Sequence, residues 1–186
     1  QSITNTKTIS SIILAAQTML TREKAPEFYQ SLKKLPSLLR KLFPEYERVT
    51  KELAAKQFDQ IVFLGTGPHT GIAEAGVLAV LELSPERCHA YQSLVYLHGH
   101  WEMSKNYSTL IVAFVSSTGM AEELAALIRL VPGKVTLVCL GDLTEGQAPV
   151  DFINMDSGLS DAARSLLYLP FAQLLGVNKA MARGLK

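Results

Sequence analysis

The chain has 186 residues, of which 48% are hydrophobic, and its 18 basic and 17 acidic residues leave a net charge of +1. This length suits a domain with a sizeable buried core, and the composition excludes a disordered chain and a strongly basic nucleic-acid-binding surface. We find neither a secretory signal nor an apolar run long enough to cross a membrane in the sequence. We therefore expect a soluble, cytoplasmic protein.

The first third of the chain is predicted to be helical. Apolar residues recur with helical spacing over residues 8–20, 25–43 and 45–56. Pro36 should bend or divide the second of these segments, because proline cannot donate the helical hydrogen bond. The sequence therefore predicts a set of amphipathic helices ahead of the first strand.

Beyond residue 57, short apolar runs alternate with helical segments. Strands are predicted at 60–64, 88–92, 109–115, 134–140 and 149–154, and helices at 69–83, 120–130 and 160–183. The central runs are continuously apolar, which is typical of parallel strands covered on both faces. The order of the elements predicts an α/β fold with a doubly wound parallel sheet flanked by helices. Ligands of such sheets bind beyond the carboxyl ends of the strands.

Two predicted strand-to-helix loops carry groups suited to holding an anion. Gly65-Thr66-Gly67 allows backbone N–H groups to approach a ligand closely, and Ser116-Ser117-Thr118-Gly119 adds three hydroxyls before a helix. A phosphate fits both loops by helix dipole and by hydrogen bonding. Each loop also has a purely structural alternative, in which the glycines only make a tight turn and Ser117 or Thr118 only caps a helix.

Two side chains elsewhere are candidates for proton transfer. Glu82 follows the apolar run 77–81, and a carboxylate at such a helix end is suited to moving a proton near neutral pH. The alternative for Glu82 is a solvated helix end. His98 lies within the stretch LHGHW. It could be an acid or a base, or an ordinary packed or exposed imidazole.

Three stretches, taken in order, resemble the sugar isomerase (SIS) domain family. They are FLGTGPHTGIAEAGVLAVLELS, HAYQSLVYLHGH and TLIVAFVSSTGMAEE. The resemblance is to the second lobe of glucosamine-6-phosphate synthase and of the related ketose/aldose isomerases and deglycases. GVLAVLELS resembles a family motif of the type ALKLKE-[LI]-S, which places Glu82 at the catalytic glutamate. Sixteen residues later, His98 stands at the histidine of the family's HGP motif.

The N-terminal residues extend the resemblance. The stretch at residues 2–8 is similar to the end of the family's first lobe, and it puts Asn5 at a sugar-contacting position. The resemblance implies the end of a preceding lobe at residues 1–8, a helical linker at 9–58 and an SIS domain at 59–186. It also implies a missing first lobe that holds most of the phosphate-binding residues, and an absent C-terminal tail that supplies a catalytic lysine in the synthase.

The sequence departs from the family pattern at four positions. Ala79 replaces a lysine of the pattern, and Val95 replaces a glutamate. His100 replaces the proline of HGP, and Asn5 replaces the serine of the first-lobe stretch. These departures weigh against the synthase reaction. They leave the pair Glu82 and His98 intact.

The resemblance implies a phosphosugar isomerase or deglycase that acts on aldose, ketose or amino-sugar phosphates. In the family, a histidine assists ring opening, and a glutamate moves a proton between C1 and C2 through an enediol or enolamine. Glu82 and His98 would then be catalytic, and Asn5, Ser116 and Thr118 would bind the substrate. Two other functions stay open, namely the isomerase lobe of a synthase-type aminotransferase and a non-catalytic regulatory domain that binds a sugar phosphate.

The resemblance also implies a homodimer, because the family's HGP histidine reaches into the active site of the neighbouring subunit. The apolar residues at 94–97 and Trp101 surround His98 with more apolar surface than a solvent loop needs, which indicates a contact surface. The alternative is that they pack within their own lobe. The expected partner is a sugar phosphate, without nucleic acid, membrane or redox cofactor. His89, His98 and His100 match no familiar zinc spacing, so we expect no metal site.

Overall fold

The computed structural model describes residues 6–130, 133–142 and 151–185 of the chain. Within these residues, five parallel strands form one sheet in the order β2-β1-β3-β4-β5. The strands are β1 Gln60–Gly65, β2 Cys88–Gln92, β3 Thr109–Phe114, β4 Val135–Gly141 and β5 Asp151–Asn154. The helices are α1 Thr6–Thr21, α2 Pro26–Leu32, α3 Leu35–Ala54, α4 His69–Leu81, α5 Ser93–Leu97, α6 Met103–Asn106, α7 Met120–Ile128 and α8 Asp161–Ala182, with a 3-10 helix at His100–Glu102.

Helices cover both faces of the sheet, which confirms the predicted doubly wound α/β fold. Every residue of β1 and β3 is buried. Because side chains alternate along a strand, Ile61 and Phe63 join a core that includes α3, α4 and α8. Val62 and Leu64 join a second core with residues of α5 and α7 on the opposite face. The continuous apolar runs in the sequence follow from this burial on both sides.

The helices ahead of the sheet follow the prediction at Pro36 and differ from it at Pro44. The break that Pro36 predicts does occur, and Pro36 lies in the first turn of α3, where a missing N–H costs little. The predicted boundary between residues 43 and 45 is wrong, because α3 continues through Pro44. Leu42 and Tyr46, on either side of this proline, are both buried in the core. Their packing outweighs the cost of roughly 3 kcal/mol for a proline inside a helix.

The long helix α3 belongs to the same core as the sheet. The Tyr46 ring lies edge-on to the Phe171 ring of α8, with centroids 5.5 Å apart. The Tyr46 hydroxyl donates a hydrogen bond to the Leu167 carbonyl at 3.1 Å. The predicted domain boundaries at residues 8 and 58 stay predictions. None of the helices in the described part of the chain is both long and apolar enough to cross a bilayer.

All five strands point the same way, so the sheet has one side formed by the amino ends of the strands and one formed by their carboxyl ends. We call these the amino edge and the carboxyl edge, and they carry different candidate residues. Because β1 and β2 are parallel, α4 begins at His69 beyond the carboxyl end of β1 and ends at Leu81 before the amino end of β2. Glu82, which follows α4, therefore lies toward the amino edge. The loop at 116–119 follows β3 and lies at the carboxyl edge.

Candidate functional site

The carboxyl edge brings together the two loops that the sequence identifies. Strands β1 and β3 are neighbours, and their crossovers lead to β2 on one side and to β4 on the other. Such a switch point opens a crevice at the carboxyl ends of the strands. Here the Thr66 hydroxyl donates a hydrogen bond to Glu123 Oε1 at 3.1 Å. Glu123 belongs to α7, which follows the loop at 116–119, so one side chain links both loops.

Glycine determines the backbone geometry of both loops. A Cβ at Gly65 would lie 2.3 Å from the His69 carbonyl oxygen, so only glycine lets α4 begin this close to β1. Gly119, directly before α7, has a φ of 71° in the left-handed region. Both glycines therefore have a structural role that needs no ligand.

Glu123 is a buried carboxyl between these two loops that the sequence analysis missed. Its side chain belongs to a residue that is only 5% exposed. Burial raises the pKa of Glu123 above its ordinary value of 4.5, although the hydrogen bond from Thr66 acts in the opposite direction. A signal was available, since Glu123 precedes the buried Leu127 by one helical turn and shares its face of α7.

The loop at 116–119 already holds an anion, the carboxylate of Asp161 at the start of α8. Ser116 Oγ donates a hydrogen bond to Asp161 Oδ2 at 2.5 Å. The Ser117 backbone N–H lies 3.0 and 3.1 Å from the two carboxylate oxygens. The Thr118 backbone N–H donates to Ser116 Oγ at 3.1 Å. Burial acts to raise the pKa of Asp161, but these bonds and the Arg164 charge outweigh it and lower the pKa below 3.8.

Arg164 supplies the positive charge for this arrangement from a fully buried position. Its guanidinium forms an ion pair with Asp161 and a second one with Asp142 Oδ2 at 3.1 Å. It also donates to Ser117 Oγ and to the Tyr168 hydroxyl, both at 2.9 Å. The sequence analysis missed Arg164 and Asp161. An arginine within the apolar helix α8 was the signal, since buried arginine needs acidic partners.

Glu82 lies apart from these loops. It is the C-cap of α4, its side chain is exposed, and its backbone N–H bonds to the Leu78 carbonyl at 2.9 Å. Leu78 and Leu81 beside it are 52% and 46% exposed. The structure therefore places Glu82 within a partly apolar surface toward the amino edge, and it does not bring Glu82 together with Ser116 or Thr118.

His98 follows α5 as its C-cap and is exposed. Of the apolar residues before it, Leu94 and Val95 are 55% and 50% exposed, whereas Tyr96 is 1% exposed and packs in the core. The predicted apolar surface at His98 is thus divided between solvent and the chain's own core. Asn5 lies outside the described residues. The predicted roles of Glu82, His98, Asn5, Ser116 and Thr118 all stay predictions.

Comparison with known proteins gives one curated relative and a consistent set of structures. No family model matches the chain. AgaS of Streptomyces coelicolor, a protein proposed to be a D-galactosamine-6-phosphate deaminase, is 31% identical over 150 residues, which are 75% of this chain and 38% of AgaS. This chain thus spans well under half of that relative, and about half of the aminotransferase, deaminase and ketose/aldose isomerase structures that it matches.

The solved structures share the fold. Tagatose-6-phosphate ketose/aldose isomerase from Escherichia coli superimposes with a TM-score of 0.73 at 20% identity, over 86% of this chain and 46% of that one. Glucosamine-6-phosphate deaminase from Thermotoga maritima has a TM-score of 0.68 at 23% identity, over 97% of this chain and 53% of that one. At these identities the likeness shows the fold alone. Together with the quoted motifs and the similarity to AgaS, it bears out the resemblance of this chain to the sugar isomerase (SIS) domain family.

Proposed function

We propose that this chain is a lobe of a phosphosugar isomerase or amino-sugar-phosphate deglycase, in which Glu82 transfers the proton and His98 assists ring opening. The similarity to AgaS and the position of Glu82 and His98 in the family motifs support this assignment. The substrate would be an aldose, ketose or amino-sugar phosphate.

One geometric observation carries the proposal further. Glu82 precedes the amino end of β2 and His98 follows its carboxyl end by a short helix. At roughly 3.3 Å per residue, the five residues of β2 alone hold the two ends far beyond hydrogen-bond reach of one another. A site that needs both groups is therefore best completed by two subunits, with Glu82 from one and His98 from the other.

The surroundings of Glu82 suit a carboxylate that works as a base once it is covered. Leu78 and Leu81 expose apolar surface next to it. A further lobe or subunit packed on this surface would exclude water from the carboxylate, and desolvation makes a carboxylate a better proton acceptor. The carboxylate would then take a proton from C2 or C1 of the open-chain sugar and return it to the adjacent carbon. General acid–base groups of this kind contribute roughly 10²–10⁴-fold to a rate.

The test is Glu82→Gln in the complete natural protein, assayed against hexose 6-phosphates and hexosamine 6-phosphates. We expect turnover to fall by at least about 100-fold, because the amide cannot accept the carbon-bound proton. The melting temperature should stay close to that of the wild type, because Glu82 is exposed. Glu74→Gln is the matched control, an exposed glutamate on the same helix that should leave turnover unchanged.

Near-normal turnover of a folded Glu82→Gln protein would remove Glu82 from the mechanism. If the wild-type protein converts none of the sugar phosphates, the proposed function itself is wrong. The first result excludes only the role of Glu82, whereas the second excludes the proposed reaction.

A further inference from the structure

We infer that the Asp161 carboxylate takes the place of a bound phosphate in the loop at 116–119, so that this loop does not hold the phosphate of the substrate. The consequence for substrate binding rests on the proposed function: the phosphate would be bound by another part of the assembly. The occupancy of the loop is a property of this chain alone and can be tested without turnover.

The donors around Asp161 are those that a phosphate would need. They are a hydroxyl from Ser116, a backbone N–H from Ser117 and the guanidinium of Arg164. Charge-assisted bonds from guanidinium and backbone N–H groups are the usual way in which proteins hold phosphate. A further loop donor, the Thr118 N–H, is taken by Ser116 Oγ. These donors of the loop are therefore engaged by the chain itself.

The charges around the loop also oppose a second anion. Arg164 is fully buried and is already shared between Asp161 and Asp142. Glu123, a third acidic group, lies beside the loop, where it accepts a hydrogen bond from Thr66, and the charge of Asp161 contributes to raising its pKa. A phosphate dianion placed here would meet two carboxylates for one arginine, and like charges at close range disfavour binding.

The Asp142 carboxylate, like that of Asp161, is fixed by hydrogen bonds from a nearby loop. Because both carboxylates are fixed, Arg164 is not free to move to a ligand. Asp142 accepts hydrogen bonds from the Ser157 N–H at 3.0 Å, from Ser157 Oγ at 2.7 Å and from the Gly158 N–H at 3.0 Å. Removing one partner of a buried ion pair leaves an uncompensated charge, which is strongly unfavourable. The arrangement is therefore stable without a ligand.

The test is titration with inorganic phosphate, followed through the backbone amide resonances of Ser117 and Thr118. In the wild-type protein these amides should not respond. In Asp161→Ala the donors of Ser116, Ser117 and Arg164 lose their carboxylate. We expect phosphate to shift the two amides saturably and to bind at least about tenfold more tightly than to the wild type. Phosphate should also raise the melting temperature of this variant relative to chloride at equal ionic strength.

Asp151→Ala is the matched control, because it removes an exposed aspartate from β5 and should leave both amides unresponsive. A saturable response of Ser117 and Thr118 in the wild type overturns the inference, and this measurement does not depend on any variant. A folded Asp161→Ala protein that shows no response to phosphate also overturns the inference. If that variant folds only in phosphate, the recovery itself supports the inference, whereas failure to fold at saturating phosphate counts against it. None of these outcomes depends on whether Glu82 is catalytic.

Discussion

Glu123 makes the stability of this chain depend on pH at the scale of a single residue. Burial holds its pKa above the ordinary value of 4.5. The folded state therefore binds this proton more tightly than the unfolded state. The stabilisation is complete below pH 4.5 and is lost as the pH rises through the folded-state pKa of Glu123.

We predict that Glu123→Gln removes this dependence. Glutamine does not titrate, so the unfolding free energy of the variant minus that of the wild type should increase from about pH 4.5 to neutral pH. Urea denaturation at a series of pH values measures the difference. Glu122→Gln, at an exposed neighbour on α7, is the control for removing a carboxylate from this part of the helix. A difference that does not change with pH for Glu123→Gln would show that Glu123 ionises freely in the folded state.

Asp161 and Arg164 were missed in the sequence for one physical reason, namely that their partners are distant in the chain. Ser116 and Asp161 are 45 residues apart in the chain, and Arg164 reaches Ser117 across 47 residues. Hydrophobic periodicity shows which face of a helix is buried. It does not show which polar groups from distant elements meet. The sequence of the loop at 116–119 therefore gives no sign that its donors bind a carboxylate of the same chain.

At the scale of elements, the contact between α4 and α8 depends on a glycine. A Cβ on Gly176 would lie 2.9 Å from the Ala79 carbonyl oxygen and 3.1 Å from Val80 Cα. The backbones of the two helices are therefore in direct contact at this point. The sequence predicts a long apolar helix at 160–183, but the closeness of this crossing exists only in the folded protein.

We predict that Gly176→Ala destabilises the protein by about 1–3 kcal/mol, because the helices must separate to admit the methyl group. Chemical denaturation measures the change in unfolding free energy. Gly71→Ala is the control on α4, where a Cβ would meet nothing within 4 Å. It should be neutral or stabilise by up to about 1 kcal/mol, since alanine is the better helix former. Equal effects at both positions would contradict the close crossing of α4 and α8.

The two prolines of α3 show where element prediction succeeds and fails. Pro36 lies in the first turn and marks a real helix start, whereas Pro44 lies inside the helix. A proline in the sequence predicts a possible break. Whether a break forms is decided by the packing on either side, here by Leu42 and Tyr46 in the core.

At the scale of the whole molecule, we predict that two inactive variants restore each other. Full-length Glu82→Gln and His98→Asn proteins should each be nearly inactive. In a mixed two-fold dimer, one of the two sites would combine an intact Glu82 with an intact His98. Statistical mixing of equal amounts should therefore recover about a quarter of wild-type turnover. The activity of the mixture after subunit exchange is the measurement.

The control replaces one partner by the double variant Glu82→Gln/His98→Asn, which cannot complete a site with Glu82→Gln. Recovery in that mixture would show that activity comes from something other than a shared site. If exchange is verified and the first mixture stays inactive, the two residues do not act across subunits. A strict monomer by light scattering at micromolar concentration would exclude the dimer itself.

The sequence by itself determined the class of fold, the order of strands and helices, and the resemblance to the SIS domain family. These depend on local properties, namely apolar runs that form buried strands, helical periodicity, and motif residues at a set spacing such as Glu82 and His98. The tertiary structure decided which edge of the sheet Glu82 and the loop at Ser116 occupy. It also decided that Asp161 fills the loop at Ser116. Such contacts arise only when parallel strands and their crossovers bring distant residues to one edge, and no local pattern in the chain records that geometry.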